Sequence, residues 1–288
     1  MLATLGDLVD DIVVHLESPI NVASDTVTRI TRRRGGSAAN VAAVAARLGK
    51  PVRFLGQVGD DPAGRSLVAE LASAGVDTSH VRHAGTTGTI VVLVEPGGER
   101  SMLTDRRACV DLVDPDASWL DGVTTLHVPL YSLVEPPLRD TTMSVISWAR
   151  DRSITMSIDL SSVALIAGLG ADAVVALLAR LAPTVVLANA DEALAVGLDR
   201  AIGDAVIVVK HGAGPAVVRR PGRRVVEVPA TDLEDVDDTT GAGDAFAAGF
   251  LTYDGWHRDP AGACAAGHRA AAELISERWR AATRNDGS

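Results

Sequence analysis

Asp238-Thr239-Thr240-Gly241-Ala242-Gly243-Asp244 runs without a break into Ala245-Phe246-Ala247-Ala248-Gly249-Phe250-Leu251. Two glycines around one small residue allow a sharp turn with its N–H groups exposed. The apolar run that follows predicts a helix. Free N–H groups and the positive end of its dipole then converge on the turn, a place suited to a phosphate or another anion. Asp244 falls in the first helical turn. On one reading it complements the helix dipole while the glycines cap a turn. On the other it is a base, because a carboxylate beside an anion site repels the anion unless its task is to take a proton from an attacking hydroxyl.

Outward from this turn, short apolar runs alternate with Ala-rich helical patterns. Strands are predicted at Leu8–Leu16, Val52–Val58, Thr124–Leu130, Ile154–Leu160, Val185–Ala188 and Ala205–Val209. Helices are predicted at Ala38–Leu48, Ala63–Ala74, Leu138–Asp151 and Ala171–Leu181, the first two stopped by Gly49 and Gly75. Strands alternating with helices indicate an α/β fold with a mostly parallel sheet covered on both faces. Two stretches break the rhythm. Thr86–Leu103 alternates around Pro96-Gly97-Gly98 and reads as a hairpin, Ile90–Glu95 against Arg100–Leu103. Pro19–Arg34 alternates weakly with polar partners. Both are placed in a small antiparallel sheet projecting from the main body.

Four further stretches hold chemistry-bearing residues. Gly35-Gly36-Ser37-Ala38-Ala39-Asn40 is either a turn with Ser37 as N-cap or a place of close ligand approach, with Asn40 facing sugar hydroxyls. Asn189-Ala190-Asp191-Glu192 has the spacing of a capping box, and alternatively of a pair that arranges water around magnesium. Lys210, in Lys210-His211-Gly212-Ala213-Gly214-Pro215, is one of only two lysines and follows a strand, where it could reach a phosphate. Asp11 is either solvated beside Asp7 and Asp10 or a strand carboxylate that grips hydroxyls.

Composition excludes several classes. Of the 288 residues, 27 are basic and 37 acidic, a net charge of −10 that argues against nucleic acid as a partner. No stretch is long and apolar enough for a membrane span, and no signal peptide is read, so a cytoplasmic setting is expected. Cys109 and Cys264 make no disulfide framework and no zinc pattern. Neither a Walker-type loop nor a dinucleotide fingerprint after the first strand is present, which disfavours an oxidoreductase.

The stretches Gly35–Asn40 and Asp238–Asp244 resemble the two signature motifs of the ribokinase-like carbohydrate kinases, the phosphofructokinase-B family. Gly56–Asp77 resembles the family's G-x-V-G-x-D-x-x-G segment, Gly97–Arg100 its lid hairpin, and Asn189–Glu192 its N-x-x-E motif. The resemblance implies a Rossmann-like core forming one domain over residues 1–288, with a β-lid at about 12–34 and 86–107. It implies transfer of the γ-phosphoryl of ATP, with magnesium, to a hydroxymethyl group. Asp244 matches the catalytic base, and Gly241, Ala242 and Gly243 the anion hole. Asp11, Gly36 and Asn40 match substrate positions; Lys210 and Gly212 match the nucleotide strand–turn; Asn189 and Glu192 match the magnesium and phosphate positions. Asp238 and Thr240 match a region that binds a monovalent cation, often potassium, in some members. Homodimers through the lid also occur in the family. Pro215, Pro129 and Val9 depart from its pattern and bear on the choice of substrate. A nucleoside acceptor is the alternative, disfavoured by the shortage of aromatic residues for a base platform. A non-catalytic sensor would have lost the base or the anion hole, and both are present.

Overall fold

The computed structural model describes residues 1–97, 99–233 and 239–285. Its strands are β1 Leu2–Leu5, β2 Val9–His15, β3 Arg29–Gly35, β4 Val52–Leu55, β5 Gln57–Val58, β6 Arg82–His83 and β7 Thr89–Val94. They continue with β8 Arg100–Asp105, β9 Thr125–Pro129, β10 Thr155–Asp159, β11 Val185–Asn189, β12 Val206–Lys210, β13 Ala216–Arg219 and β14 Val226–Val228. The helices are α1 Ser37–Arg47, α2 Pro62–Ser73, α3 Leu138–Asp151, α4 Val163–Leu169, α5 Ala171–Leu181, α6 Ala190–Val196, α7 Ala242–Thr252 and α8 Pro260–Asn285.

The large sheet runs in the order β14-β13-β12-β11-β10-β9-β1-β4. Neighbours from β12 to β4 pair parallel, and β13 and β14 close the other edge antiparallel. Strand side chains alternate between faces, and the core follows that period. Val186, Ala188, Ile207 and Val209 pack with α3, α4, α5 and α6, whereas Val185, Leu187, Val206 and Val208 pack with α1, α2, α7 and α8. A sheet buried on both sides explains why these strands read as unbroken apolar runs.

A second, four-stranded sheet has the order β3-β2-β7-β8. Its outer pairs are antiparallel, but the central β2–β7 pair is parallel, so the small sheet is mixed rather than antiparallel throughout. It begins at Val9. The run predicted as Leu8–Leu16 belongs to this layer, and the first strand of the large sheet is Leu2–Leu5, which the sequence reading missed. Four residues with Thr4 in the middle show too little pattern to read as a strand. Gly56 also splits the predicted Val52–Val58 run into β4 and β5, and β5 pairs with β6 instead.

In the small sheet, Asp11, Val13, Arg33 and Val92 share one face by register, and Ile12, Val14, Ile30 and Leu103 share the other. Val13 and Val92 are buried, while Ile30 is 59% and Leu103 60% exposed. The Asp11 face is therefore the inner one, and Asp11 stands near enough to Asp244 to feel its charge; open α/β sheets bind ligands at the carboxyl ends of their strands.

Candidate active site

The carboxyl ends of β10, β11 and β12 supply Asp159, Asn189 and Lys210. Ile158 and Val209 face the α3–α6 side, so Asp159 and Lys210 project to the α1–α7 side by alternation. Lys210 Nζ donates to Asp159 Oδ2 at 2.8 Å, and both side chains are largely buried. Burial opposes the Lys210 charge, but Asp159, with help from Glu192 and Asp244, outweighs it and holds the ammonium above its ordinary range. Asn189 and Glu192 form a complete capping box at the start of α6. The Asn189 side chain accepts from the Glu192 N–H, and Glu192 accepts from the Asn189 backbone and side-chain N–H groups, each at 2.8 Å. Burial first, and the neighbouring Asp159 second, push Glu192 up to about 7.

Facing this edge is the start of α7. Its N-cap, Gly241, has φ 76°, a left-handed conformation that glycine adopts without strain. The Ala242 N–H donates to the Thr239 carbonyl at 3.0 Å, closing the turn. Lys210 Nζ lies 3.6 Å from where a Cβ on Gly243 would stand, so the ammonium sits directly beside the helix start. Asp244 follows in the first turn and is half-buried. Its Oδ1 accepts from Ser37 Oγ at 2.7 Å and its Oδ2 from Asn40 Nδ2 at 2.8 Å. Burial raises its pKa, and the two hydrogen bonds offset that only in part. The result is a carboxylate with more appetite for a proton than a solvated one.

The lid supplies the other wall. Asp11 lies against the paired glycines: a Cβ on Gly35 would fall 2.0 Å from Asp11 Oδ1. Among the described residues that buried oxygen has no hydrogen-bond partner, and Arg33 Nε stands 3.9 Å from the other oxygen. Burial pushes Asp11 up to about 6 against the pull of Arg33. Its neighbour Asp10 turns to the opposite face and pairs with Arg32. Gly36, the N-cap of α1, has φ 99°, and a Cβ there would meet the Asp7 carbonyl oxygen at 2.1 Å, so only glycine fits. Asp7 makes a two-pronged pair with Arg106 at 2.7 and 2.8 Å, and the Arg106 guanidinium lies 5.6 Å from the centre of the Tyr131 ring.

The contacts of Asp11 with Gly35, of Asn40 with Asp244 and of Lys210 with Gly243 thus bring Asp11, Gly36, Asn40, Lys210, Gly241, Ala242, Gly243 and Asp244 into one neighbourhood. Asn40 spends both ends of its amide on the protein, because its Oδ1 accepts from Arg34 Nη1 at 2.9 Å. Gly212, with φ 60°, shapes the turn after β12, where Gly214 N–H donates to the His211 carbonyl at 2.9 Å and His211 Nδ1 meets the Pro215 carbonyl at 3.0 Å. Pro215 is accommodated by that turn. Asp238 lies outside the described residues. The Thr240 hydroxyl accepts from Arg100 of β8, and its carbonyl from Arg278 of α8. Two guanidinium groups therefore stand against the oxygens of Thr240.

Among the described residues no three His, Cys, Asp or Glu side chains come together as a metal cage. Asn189 and Glu192, side by side at the start of α6, fit a magnesium ion held through its waters, the usual way this ion is bound beside phosphates. The sequence reading missed Asp159, Arg100, Arg278 and the bond from Ser37 to Asp244. An acidic residue ending a buried strand was a usable signal for Asp159; the others depend on contacts between remote segments.

A Rossmann-like sheet with a β-lid closing over a glycine-rich helix start defines the ribokinase-like kinases. The family described as pfkB family carbohydrate kinase matches residues 1–282, and the chain belongs to it. It is 36% identical over 228 residues to the ATP-dependent ribose-1-phosphate kinase of Halopiger xanaduensis, covering 75% of this chain and 72% of that one. It is 30% identical over 272 residues to a fructokinase of Klebsiella pneumoniae, covering 82% and 81%. The structure superposes on adenosine kinase from Sinorhizobium meliloti with a TM-score of 0.83 at 26% identity, covering 96% and 93%. The protein is therefore a carbohydrate kinase, with ATP as the cosubstrate its family implies.

Proposed function

We propose that this enzyme transfers the γ-phosphoryl of ATP to a hydroxymethyl group of a small sugar, with Asp244 as the base. The observation that carries this reading is the placing of Asp244. It is half-buried, raised in basicity and held by Ser37 and Asn40, one residue beyond the glycine against which Lys210 rests. In the step proposed, the acceptor oxygen forms a bond to the γ-phosphorus, the bond to the β,γ-bridging oxygen breaks, and ADP leaves. The acceptor proton passes to the Asp244 carboxylate. Gly241, Ala242 and Gly243 bring the helix N-terminus to the developing charge, and Lys210 adds a full positive charge beside it. Asp11 takes a hydroxyl of the acceptor on its unpartnered oxygen, and Gly36 lets the sugar approach the backbone. Lys210 and Gly212 border the nucleotide. Magnesium, when bound with ATP, would neutralise phosphate charge; Asn189 and Glu192 are the groups that would hold its waters.

A free or phosphorylated sugar is favoured over a nucleoside. Phe54, Phe246, Phe250, Trp119 and Trp256 are buried in the core, and the Tyr131 ring is covered by Arg106. The pairing of both Thr240 oxygens with guanidinium groups favours a reaction without obligatory potassium. The exposed outer face of the lid, with Ile30 and Leu103, suits a second copy of the chain, which sedimentation would detect as a dimer. Consumption of ATP fits a cytoplasmic setting. Among the described residues no single helix is long and apolar enough to cross a membrane.

The test is ADP release from magnesium-ATP over a panel of ribose, ribose 1-phosphate, fructose, fructose phosphates, 2-keto-3-deoxygluconate, adenosine and cytidine. Turnover of a sugar or sugar phosphate is expected. Turnover of nucleosides alone would replace the acceptor assignment, and silence across the panel with ATP bound would remove the sugar-kinase assignment.

A further inference from the structure

We infer that Asp159 is a positioning residue for phosphoryl transfer, holding the Lys210 ammonium across β11 and against the start of α7. This rests on the kinase reading above and adds a residue to it. β10 and β12 are not neighbours; β11 lies between them. Adjacent strands stand about 4.8 Å apart, so the pair must bridge about 9.6 Å of sheet. Of the two partners, the long lysine stem covers most of that span, and the short carboxylate fixes its end point. Asp159 is itself fixed, because its Oδ1 accepts from the Ser161 N–H at 2.9 Å and its Oδ2 takes the ammonium at 2.8 Å. Ser161 has φ 63°, an uncommon backbone setting for a residue with a side chain, and one that turns its N–H back onto the carboxylate.

Without this anchor the ammonium would have a choice of acidic neighbours, since Glu192 and Asp244 also act on it. An ammonium drawn onto Asp244 would neutralise the base. One drawn onto Glu192 would leave the helix start. The anchor keeps it 3.6 Å from the Cβ position of Gly243, beside the base without bonding to it. A buried lysine that has lost its partner is also strongly disfavoured as a charge.

The experiment is a double-mutant cycle of D159N, K210M and D159N/K210M, read as kcat and as KM for acceptor and for ATP, with D159E as the conservative variant. K210M is expected to lower kcat about 10²–10³-fold, the cost of losing a preorganised charge at the transferring group. D159N is expected to lower kcat at least tenfold, with acceptor KM nearly unchanged. The double variant, which removes both members of the buried pair together, is expected to match K210M within about threefold. D159E is expected to recover much of the D159N loss. Losses that multiply in the double variant, or a D159N enzyme with wild-type kcat, would overturn the inference while leaving the kinase reading intact. A wild type that turns over no acceptor would overturn both.

Discussion

Asp244 and Asp11 are both carboxylates that burial lifts above their ordinary range, yet they are wired in opposite ways. Asp244 sits in the first turn of α7, and both its oxygens are already hydrogen-bonded, to Ser37 and to Asn40. Asp11 sits on the lid, and one buried oxygen has no hydrogen-bond partner among the described residues. The difference assigns different work to similar groups. A carboxylate held from both sides is oriented and ready to accept a proton. A carboxylate left with an unmet acceptor is completed by a donor from outside, and a sugar hydroxyl is such a donor.

Replacing Asp244 by Asn should produce the largest effect, a loss in kcat of about 10²–10⁴-fold, the usual contribution of a positioned base. Steady-state kinetics should show acceptor KM nearly unmoved. Replacing Asp11 by Asn should act on the other term: acceptor KM rises about 10- to 100-fold, as expected for losing a buried charge-assisted hydrogen bond, and kcat changes less. Equal behaviour of the two variants would erase the distinction. Ser37→Ala is a milder probe. With one donor gone, the Asp244 carboxylate is less stabilised and its pKa rises further, so the acid limb of the kcat profile moves to higher pH. The loss near the pH optimum should be about fivefold.

The smallest effect concerns stability. Asp11 titrates at about 6 in the folded chain, above its ordinary value of 3.8, so the folded state binds the proton more tightly than the unfolded one. Its contribution therefore weakens the fold as pH rises from about 4 through 6 and stays unfavourable above that. Asp11→Asn removes this contribution and should raise Tm at pH 7.5 by about 2–4 °C, with a smaller gain at pH 4.5. An equal or opposite shift at the two pH values would show that the buried charge is not the cause.

Much of this contrast was legible in the residues themselves. Runs such as Val185–Ala188 declare buried parallel strands, and the Gly241–Asp244 turn declares a helix start of the kind that suits an anion. The capping box at Asn189 and Glu192 was readable from spacing alone and is present in full. Other features were hidden by their physics. Asp10 and Asp11 are adjacent and chemically alike; only the register of β2 against β3 shows that one pairs with Arg32 and the other, on the opposite face, lies against Gly35. The parallel pairing of β2 with β7 joins segments about 80 residues apart, and no local pattern encodes such a pairing. Asp159 and Lys210 meet only because β11 separates their strands by one place. Asn40 looked like a group for sugar hydroxyls, and in the folded chain it also braces Asp244, a contact between residues 204 positions apart.

The most direct measurement is calorimetric titration of the acceptor into Asp244→Asn and Asp11→Asn, each saturated with a non-hydrolysable ATP analogue and magnesium. The expected result is near-wild-type affinity in Asp244→Asn, despite its lost turnover, and binding weakened about 10- to 100-fold in Asp11→Asn. Weak binding in the first variant, or undiminished binding in the second, would contradict the division of labour between the two carboxylates.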